Sequence, residues 1–514
     1  MPKKLNLPII SILITILLLA LGLAWVSSDF SDLAGFLPFS YVLIFGTLII
    51  WSGWRLIQPQ APKKWLLYLV MAAALLRLAA GVIWFVELPI FGHPNDTQQS
   101  GYIMYDAYRR DTAAWELSQS DQPLISAFQG ADHMDQYGGL LFISGAIYRF
   151  LSNGTHYPLI IAVITSAFSA TAVFFTWSLS KQLWGNQAAK IAAWTVTLYP
   201  EAVLLGSSQM REAFTITLVT AFSAFIIHYW KKRELKYLAF ALISILVCSL
   251  ITWPIALMMV FIGVVITITL YPWKAFNKKR ITLILGVIGV LVILMVVIGF
   301  KTLNWWNLVI DYQTIMTVDG SGKLDAVLSR IPEWLHFPYL VGYGIVRPLL
   351  PSALVAYTSG WLWHAIAIWR ALGWTFLFGM FLYANLLAFK EKSWRSIVGT
   401  LLLIVWVGII FAAVRGGGDL WDNPRYRVVV AGLQSCLAAW ALFRQQESKD
   451  PWLRRVIVTV GMLIAWFLAW YIDRKVFGFG WPITNMATLI ALALTGSILY
   501  ILWDIKRLSH QKSK

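Results

Sequence analysis

Apolar residues along this chain fall into long runs with almost no charge inside them, parted by short polar or glycine- and proline-containing breaks. Fourteen such runs predict membrane-crossing helices: about 7–27, 37–56, 65–88, 157–179, 190–206, 212–230, 236–252, 255–272, 281–299, 361–389, 396–414, 428–443, 456–472 and 483–503. Most reach the ~20 apolar residues that a helix needs to cross ~30 Å of hydrocarbon. The run at 428–443 is the shortest, and the count is bounded by thirteen and fifteen. Residues 236–272 are too long for one span and break at Thr252-Trp253-Pro254, where proline removes a helix donor and clashes with the preceding turn. The first run follows Lys3 and Lys4 as a signal peptide would. Its apolar stretch is too long for one, and no small-x-small site follows, so it reads as an uncleaved span.

Composition agrees with this pattern. The 514 residues are 59% hydrophobic and 13% charged, against about 25% charged in soluble domains, and the mean hydropathy is +0.69. These values exclude a soluble globular protein and predict an all-α polytopic membrane protein. The two cysteines, Cys248 and Cys436, lie inside apolar runs and offer no disulfide framework or cysteine metal site.

The net charge of +17 acquires meaning when sorted by side. Basic residues cluster in alternate short loops, as in the positive-inside rule. With Lys3 and Lys4 inside, 26 basic and 5 acidic residues share that face, 13 basic and 19 acidic face out, and Arg77 and Arg370 lie within spans. The excess is therefore a topology signal and not a nucleic-acid-binding patch. Both termini are expected in the cytoplasm of a plasma or inner membrane. The same bookkeeping excludes a span at 337–358, since a crossing there would invert every later loop. Pro338, Pro348 and Pro351 also argue against a regular helix, so this segment reads as re-entrant or surface-lying on the outer side.

Uncommon chemistry gathers outside, in loops at 90–156, 300–360 and 415–427. In Tyr105–Ser118, a helix would place Asp111, Trp115 and Ser118 on one face with Tyr108 a turn earlier. Residues 137–151 predict a second surface-lying helix. The plain alternative is that Asp106 and Asp111 pair with Arg109 and Arg110 on a wet surface. Arg211 and Glu212 open a span, where the helix dipole favours the acid and disfavours the cation unless an anion is near. Arg347, Arg425 and Arg427 stand among aromatic, glycine and proline residues; guanidinium groups bind phosphate through paired hydrogen bonds. Asp419 and Asp422 could equally neutralise the latter two. His93, His133, His156, His336 and His364 show no zinc-binding spacing, and no glycine-rich phosphate loop occurs in the inner loops.

Three stretches carry a resemblance to a known family. Asp111-Thr-Ala-Ala-Trp115 with Leu117-Ser118, Tyr199-Pro200 through Ser207-Ser208-Gln-Met-Arg211-Glu212, and Asn423-Pro-Arg425-Tyr-Arg427 resemble, in order and sidedness, the loop motifs of the GT-C superfamily of integral membrane glycosyltransferases. The likeness is to the polyprenyl-phosphate-sugar-dependent type, related to dolichyl-phosphate-mannose–protein mannosyltransferases and aminoarabinose transferases, and covers about residues 64–430. It implies a core at 61–445, preceded by two additional spans in 1–60 and followed by a span pair and basic tail at 446–514. The chain departs from the family in those two extra spans and in lacking the paired acidic motif of several subfamilies.

The resemblance implies transfer of a sugar from a polyprenyl-phosphate donor to a lipid, glycan or protein acceptor, usually with inversion. Asp111, or else Asp106, would be the general base, and Arg425, Arg427, Arg347 and Arg211 would hold the phosphate. Asp106, Asp111 and Glu212 supply oxygen ligands suited to Mg²⁺ or Mn²⁺, although no diagnostic metal cluster is present. Two other classes share the polytopic pattern. A polysaccharide ligase or polymerase would carry its long outer loop late in the chain, and a lipid or sugar flippase would carry mid-span carboxylates and internal repeats.

Overall fold

A computed structural model of the chain describes residues 7–129, 137–271, 328–355, 360–474 and 486–512. It is an all-α polytopic membrane protein, with no strand among the described residues. The helices are α1 (Leu7–Ser27), α2 (Phe36–Ile57), α3 (Lys64–Phe91), α4 (Asp96–Gln99), α5 (Tyr105–Gln119), α6 (Gly139–Leu151), α7 (Pro158–Ala170), α8 (Ala172–Leu198), α9 (Pro200–Gly206), α10 (Arg211–Lys232), α11 (Leu235–Ile251) and α12 (Trp253–Leu270). Beyond residue 328 come α13 (Glu333–Val346), α14 (Leu350–Val355), α15 (Trp361–Lys390), α16 (Ile397–Gly416), α17 (Asp422–Arg427), α18 (Ala431–Ser448), α19 (Trp452–Ile472) and α20 (Met486–Lys512).

Eleven helical stretches among the described residues are long and apolar enough to cross a membrane. The difference from fourteen has three sources. The run at 157–179 and the first part of that at 190–206 fall in one helical stretch, Pro158–Leu198, with the remainder in the short α9; α11 is one residue short of 18, and the run at 281–299 lies outside the described residues. Within Pro158–Leu198 the helical repeat breaks at Gly185, whose φ of 86° is open to glycine but strained for other residues. Thr252, with extended backbone, separates α11 from α12 at the Trp-Pro pair. The proline-rich segment 337–358 is not one helix: α13 ends at Val346, and α14 begins only at Leu350.

One expectation is corrected here. Residues 415–427 read as a loop, yet Asp422–Arg427 is helical and continues through a 3₁₀ turn at Val428–Val430 into α18. Pro424 falls in the first turn of α17, where no intrahelical donor is required, and Asp422 opens the helix at its electropositive end. Arg425 and Arg427 are thus carried on helix.

The contacts divide the chain into two units, Met1–Gly263 with Ala431–Cys436, and Val264–Val430 with Leu437–Lys514. In the first, α7, α8 and α10 are buried along much of their length. The surrounding helices approach through glycine, as expected where hydrocarbon supplies no hydrophobic drive and close backbone packing must. Gly46 of α2 lies on Ala167, and Gly53 on Phe174. A Cβ on Gly81 of α3 would stand 2.7 Å from the Ser207 carbonyl oxygen, and one on Gly206 would stand 2.7 Å from Arg77 Cδ. Peripheral α1 leaves Ile14 and Leu18 more than half exposed, which carries no penalty in lipid.

The second unit uses ion pairs. Arg454 and Arg455 of α19 both donate to Asp504 of α20, the latter at 2.9 Å, and Lys390 at the end of α15 meets Asp450 at 2.9 Å. Arg444 bonds Glu391 at 3.1 Å. All of these residues belong to loops or helix ends that the charge bias puts on one face. In the first unit, Lys181 donates to the Gln60 carbonyl and Lys231 to the Gln182 carbonyl, again joining loops assigned to a common face.

Gly81→Ala is expected to destabilise the purified protein by ~1–3 kcal/mol through overpacking against the Ser207 backbone. Gly22→Ala, where nothing lies within 4 Å, is expected to cause no loss. Thermal unfolding in detergent, followed by loss of the monodisperse peak, compares the two; equal behaviour would remove the close α3 approach.

Candidate active site

In the first unit the carboxylate of Asp111 is buried in a cage of hydroxyl and imidazole donors. Asp111, in the middle of α5, is 1% exposed. The Tyr148 hydroxyl donates to its Oδ1 at 2.7 Å, the Tyr102 hydroxyl donates to Oδ2 at 2.5 Å, and His156 Nε2 donates to the same oxygen at 2.7 Å. The indole of Trp115, one turn beyond Asp111, stacks on the His156 ring at 5.2 Å and 23° and meets Tyr148 edge-on. Burial and the charge of Asp111 push the hydroxyl pKa values of Tyr102 and Tyr148 well above 10, so both remain donors.

Local sequence explains how these groups arrive. Gly101, at φ 78°, turns the chain against the Phe85 backbone and delivers Tyr102. α5 is polar and lacks a side-chain N-cap, but its far end is held firmly. Arg149 of α6 donates to the carbonyls of Leu117 at 2.5 Å, Ser118 at 3.3 Å and Ser120 at 3.0 Å, satisfying acceptors that a helix C-terminus leaves open. Tyr148 precedes Arg149 on α6, and His156 lies in the short connection to α7. On the other side of α5, buried Arg110 donates to the Gln209 carbonyl at 2.6 Å, and the Gln209 amide donates to Ser144.

The expected site residues separate into two groups. Asp106 is half-buried in the first turn of α5; five helical positions rotate it about 140° from Asp111. Glu212 is buried in the first turn of α10. Among the described residues no three His, Cys, Asp or Glu side chains stand close enough to share a metal. Arg211 heads α10 with its guanidinium 4.9 Å over the Tyr137 ring, so an aromatic face meets the cation at this helix start. Arg77 is fully enclosed, donating to Ser169 Oγ at 3.0 Å and to the Ala73 carbonyl at 2.9 Å.

The remaining arginines meet in the second unit. Arg427 donates to the Arg347 carbonyl at 2.5 Å and lies 3.4 Å over the Trp374 ring. Arg347 donates to the Gly418 carbonyl and covers Tyr343 at 4.8 Å. Arg425 is 3.4 Å from Asp422 and 5.5 Å over Tyr426, whose ring is also covered by Arg415 at 4.2 Å. Arg370 lies over Trp421 at 4.3 Å. Asn423 fixes the backbone here, its amide donating to the carbonyls of Gly344 at 2.9 Å and Gly417 at 2.6 Å. Asp419 accepts from the amides of Trp421 and Asp422. Five arginines thus stand with two carboxylates, an ensemble suited to an anion.

Sequence reasoning missed Tyr102, Tyr148 and His156 as partners of Asp111. His156 came into view only through metal-ligand spacing, and the tyrosines carried no positional signal.

By sequence the chain matches no protein-family model and no curated protein. Among solved structures it is similar to the archaeal oligosaccharyltransferase AglB from Archaeoglobus fulgidus, in complex with an inhibitory peptide and a dolichol-phosphate. The identity is 13% and the TM-score 0.36, over 84% of this chain and 54% of that one. The chain thus spans about half the length of AglB.

Two outcomes follow from the cage. Tyr148→Phe leaves Asp111 Oδ1 without its donor and is expected to lower stability by ~1–3 kcal/mol. In an Asp111→Asn background its effect should shrink by ~0.5 kcal/mol or more, measured as a double-mutant cycle of unfolding free energies. The raised tyrosine pKa values mean that the folded chain keeps protons that the unfolded chain releases above pH 10. Their contribution is intact below pH 10 and lost as pH rises further. Tm is accordingly expected to fall more steeply between about pH 9.5 and 11 in the wild type than in Tyr102→Phe/Tyr148→Phe.

Proposed function

We propose that the chain is an integral membrane glycosyltransferase that moves a sugar from a polyprenyl-phosphate donor to an acceptor hydroxyl on the extracytoplasmic side, with inversion. The observation that carries this reading is the buried, donor-surrounded Asp111 on a helix that does not itself span the membrane. An inverting transfer needs a basic centre to take the acceptor's proton as its oxygen attacks the anomeric carbon. Asp111, or second to it Asp106, is the carboxylate on which that basic centre is built. The departing phosphate needs cations; Arg347, Arg425 and Arg427 gather in one ensemble, and Arg211 is a further candidate. The sequence motifs at 111–118, 199–212 and 423–427 support the same reading. The acceptor is a lipid, glycan or protein.

The full chain in phosphatidylethanolamine–phosphatidylglycerol liposomes, given undecaprenyl phosphates bearing tritiated monosaccharides and membranes from source cells lacking the gene, tests this. Tritium is expected to leave the donor lipid for the acceptor fraction. Asp111→Asn should cut the rate by ~10²-fold or more, with unaltered turnover removing the assignment. Arg425→Ala/Arg427→Ala should raise the donor KM or lower kcat by ~10-fold, about 1.4 kcal/mol. Movement of intact labelled lipid between leaflets, with the sugar bond unbroken, would identify a flippase instead.

A further inference from the structure

The cage around Asp111 leaves that carboxylate poorly placed to meet a substrate. Its two oxygens already accept three hydrogen bonds, and the side chain is 1% exposed. His156 differs: its side chain is 32% exposed, and its Nδ1 makes no hydrogen bond among the described residues. A carboxylate on Nε2 fixes the neutral imidazole as the tautomer with hydrogen on Nε2, because the carboxylate can only accept. The lone pair then resides on Nδ1. Trp115, stacked on one face of the ring, holds its plane.

From this geometry we infer that His156 is the group that takes the acceptor's proton, and that Asp111 is a positioning residue acting through it. The inference rests on the transferase reading above and names the base within it. In the step, the acceptor O–H bond breaks and its proton passes to His156 Nδ1. The acceptor oxygen bonds the anomeric carbon, and the sugar–phosphate C–O bond breaks with its electron pair on the departing lipid phosphate. The imidazolium formed is stabilised by Asp111 at 2.7 Å and returns its proton to water after release. The titratable groups facing the ring are Asp111 of α5 and Tyr148 of α6, with Tyr102 behind the shared carboxylate.

The test uses the liposome assay with tritiated undecaprenyl-phosphate sugars on His156→Gln, His156→Ala and Asp111→Asn, with Tm for each. His156→Gln is expected to lower kcat by ~10²–10⁴-fold, leave the donor KM within about threefold, and abolish the acid limb of the kcat/KM profile. Imidazole should restore part of the rate to His156→Ala. If His156→Gln keeps more than about a tenth of the wild-type rate while Asp111→Asn is inactive, Asp111 itself is the base. That result overturns this inference and leaves glycosyl transfer standing. Lost activity together with lost Tm and no imidazole rescue would make His156 a structural donor, and also overturns it. No sugar release by the wild type would defeat the transferase reading itself.

Discussion

A carboxylate removed from water keeps its charge only where donors replace the lost hydration, and Asp111 draws those donors from separate stretches of chain. Tyr102 comes from the turn before α5, Tyr148 from α6, and His156 from the connection to α7. Tyr148 and its neighbour Arg149 engage different parts of α5, the first at its centre and the second at its carboxyl end. Successive helical residues diverge by about 100°, so these two bonds fix α6 on α5 both in height and in rotation. The position of His156 follows, since it leaves α6 only a few residues later.

The arginines of the second unit solve a related problem by other means. A guanidinium is weakly hydrated and planar, so an aromatic face can stand in for much of its water. Trp374, Tyr343, Tyr426 and Trp421 serve Arg427, Arg347, Arg415 and Arg370 in this way. Lysine at Arg427 would lose the flat contact at 3.4 Å as well as the bond to the Arg347 carbonyl. The tryptophan-rich composition of the chain is therefore tied to its arginines as well as to the bilayer.

The spans were legible because hydrocarbon demands one thing of sequence, a long apolar run, and α1, α2, α3, α10, α15 and α16 follow those runs to within a few residues. α5 was legible from its helical spacing of Asp111, Trp115 and Ser118. The start of α17 was not, because Gly-Gly-Gly and Asn-Pro read as loop although a proline in a first turn fits a helix. The partners of Asp111 were hidden for a different reason. Tyr102, Tyr148 and His156 lie 9, 37 and 45 positions away, and a polar contact across that distance imposes no periodicity. Burial of Asp111 likewise depended on the packing of α6, which helical spacing within α5 does not reveal.

Charge neutralised by charge has little field left for a ligand, and the two ways of burying ions here differ in that respect. Asp504 meets Arg454 and Arg455, and Asp450 meets Lys390, so these segments are held together by opposite charge. Asp111 has hydroxyls and an imidazole for partners, Arg347 a carbonyl and a ring, and Arg211 a ring. Hydroxyls, carbonyls and ring faces stabilise these ions without cancelling them, and in a low-dielectric setting the remaining field is strong. An anion such as Asp111 can then stabilise a proton arriving on His156, and cations such as Arg347 can stabilise an arriving phosphate.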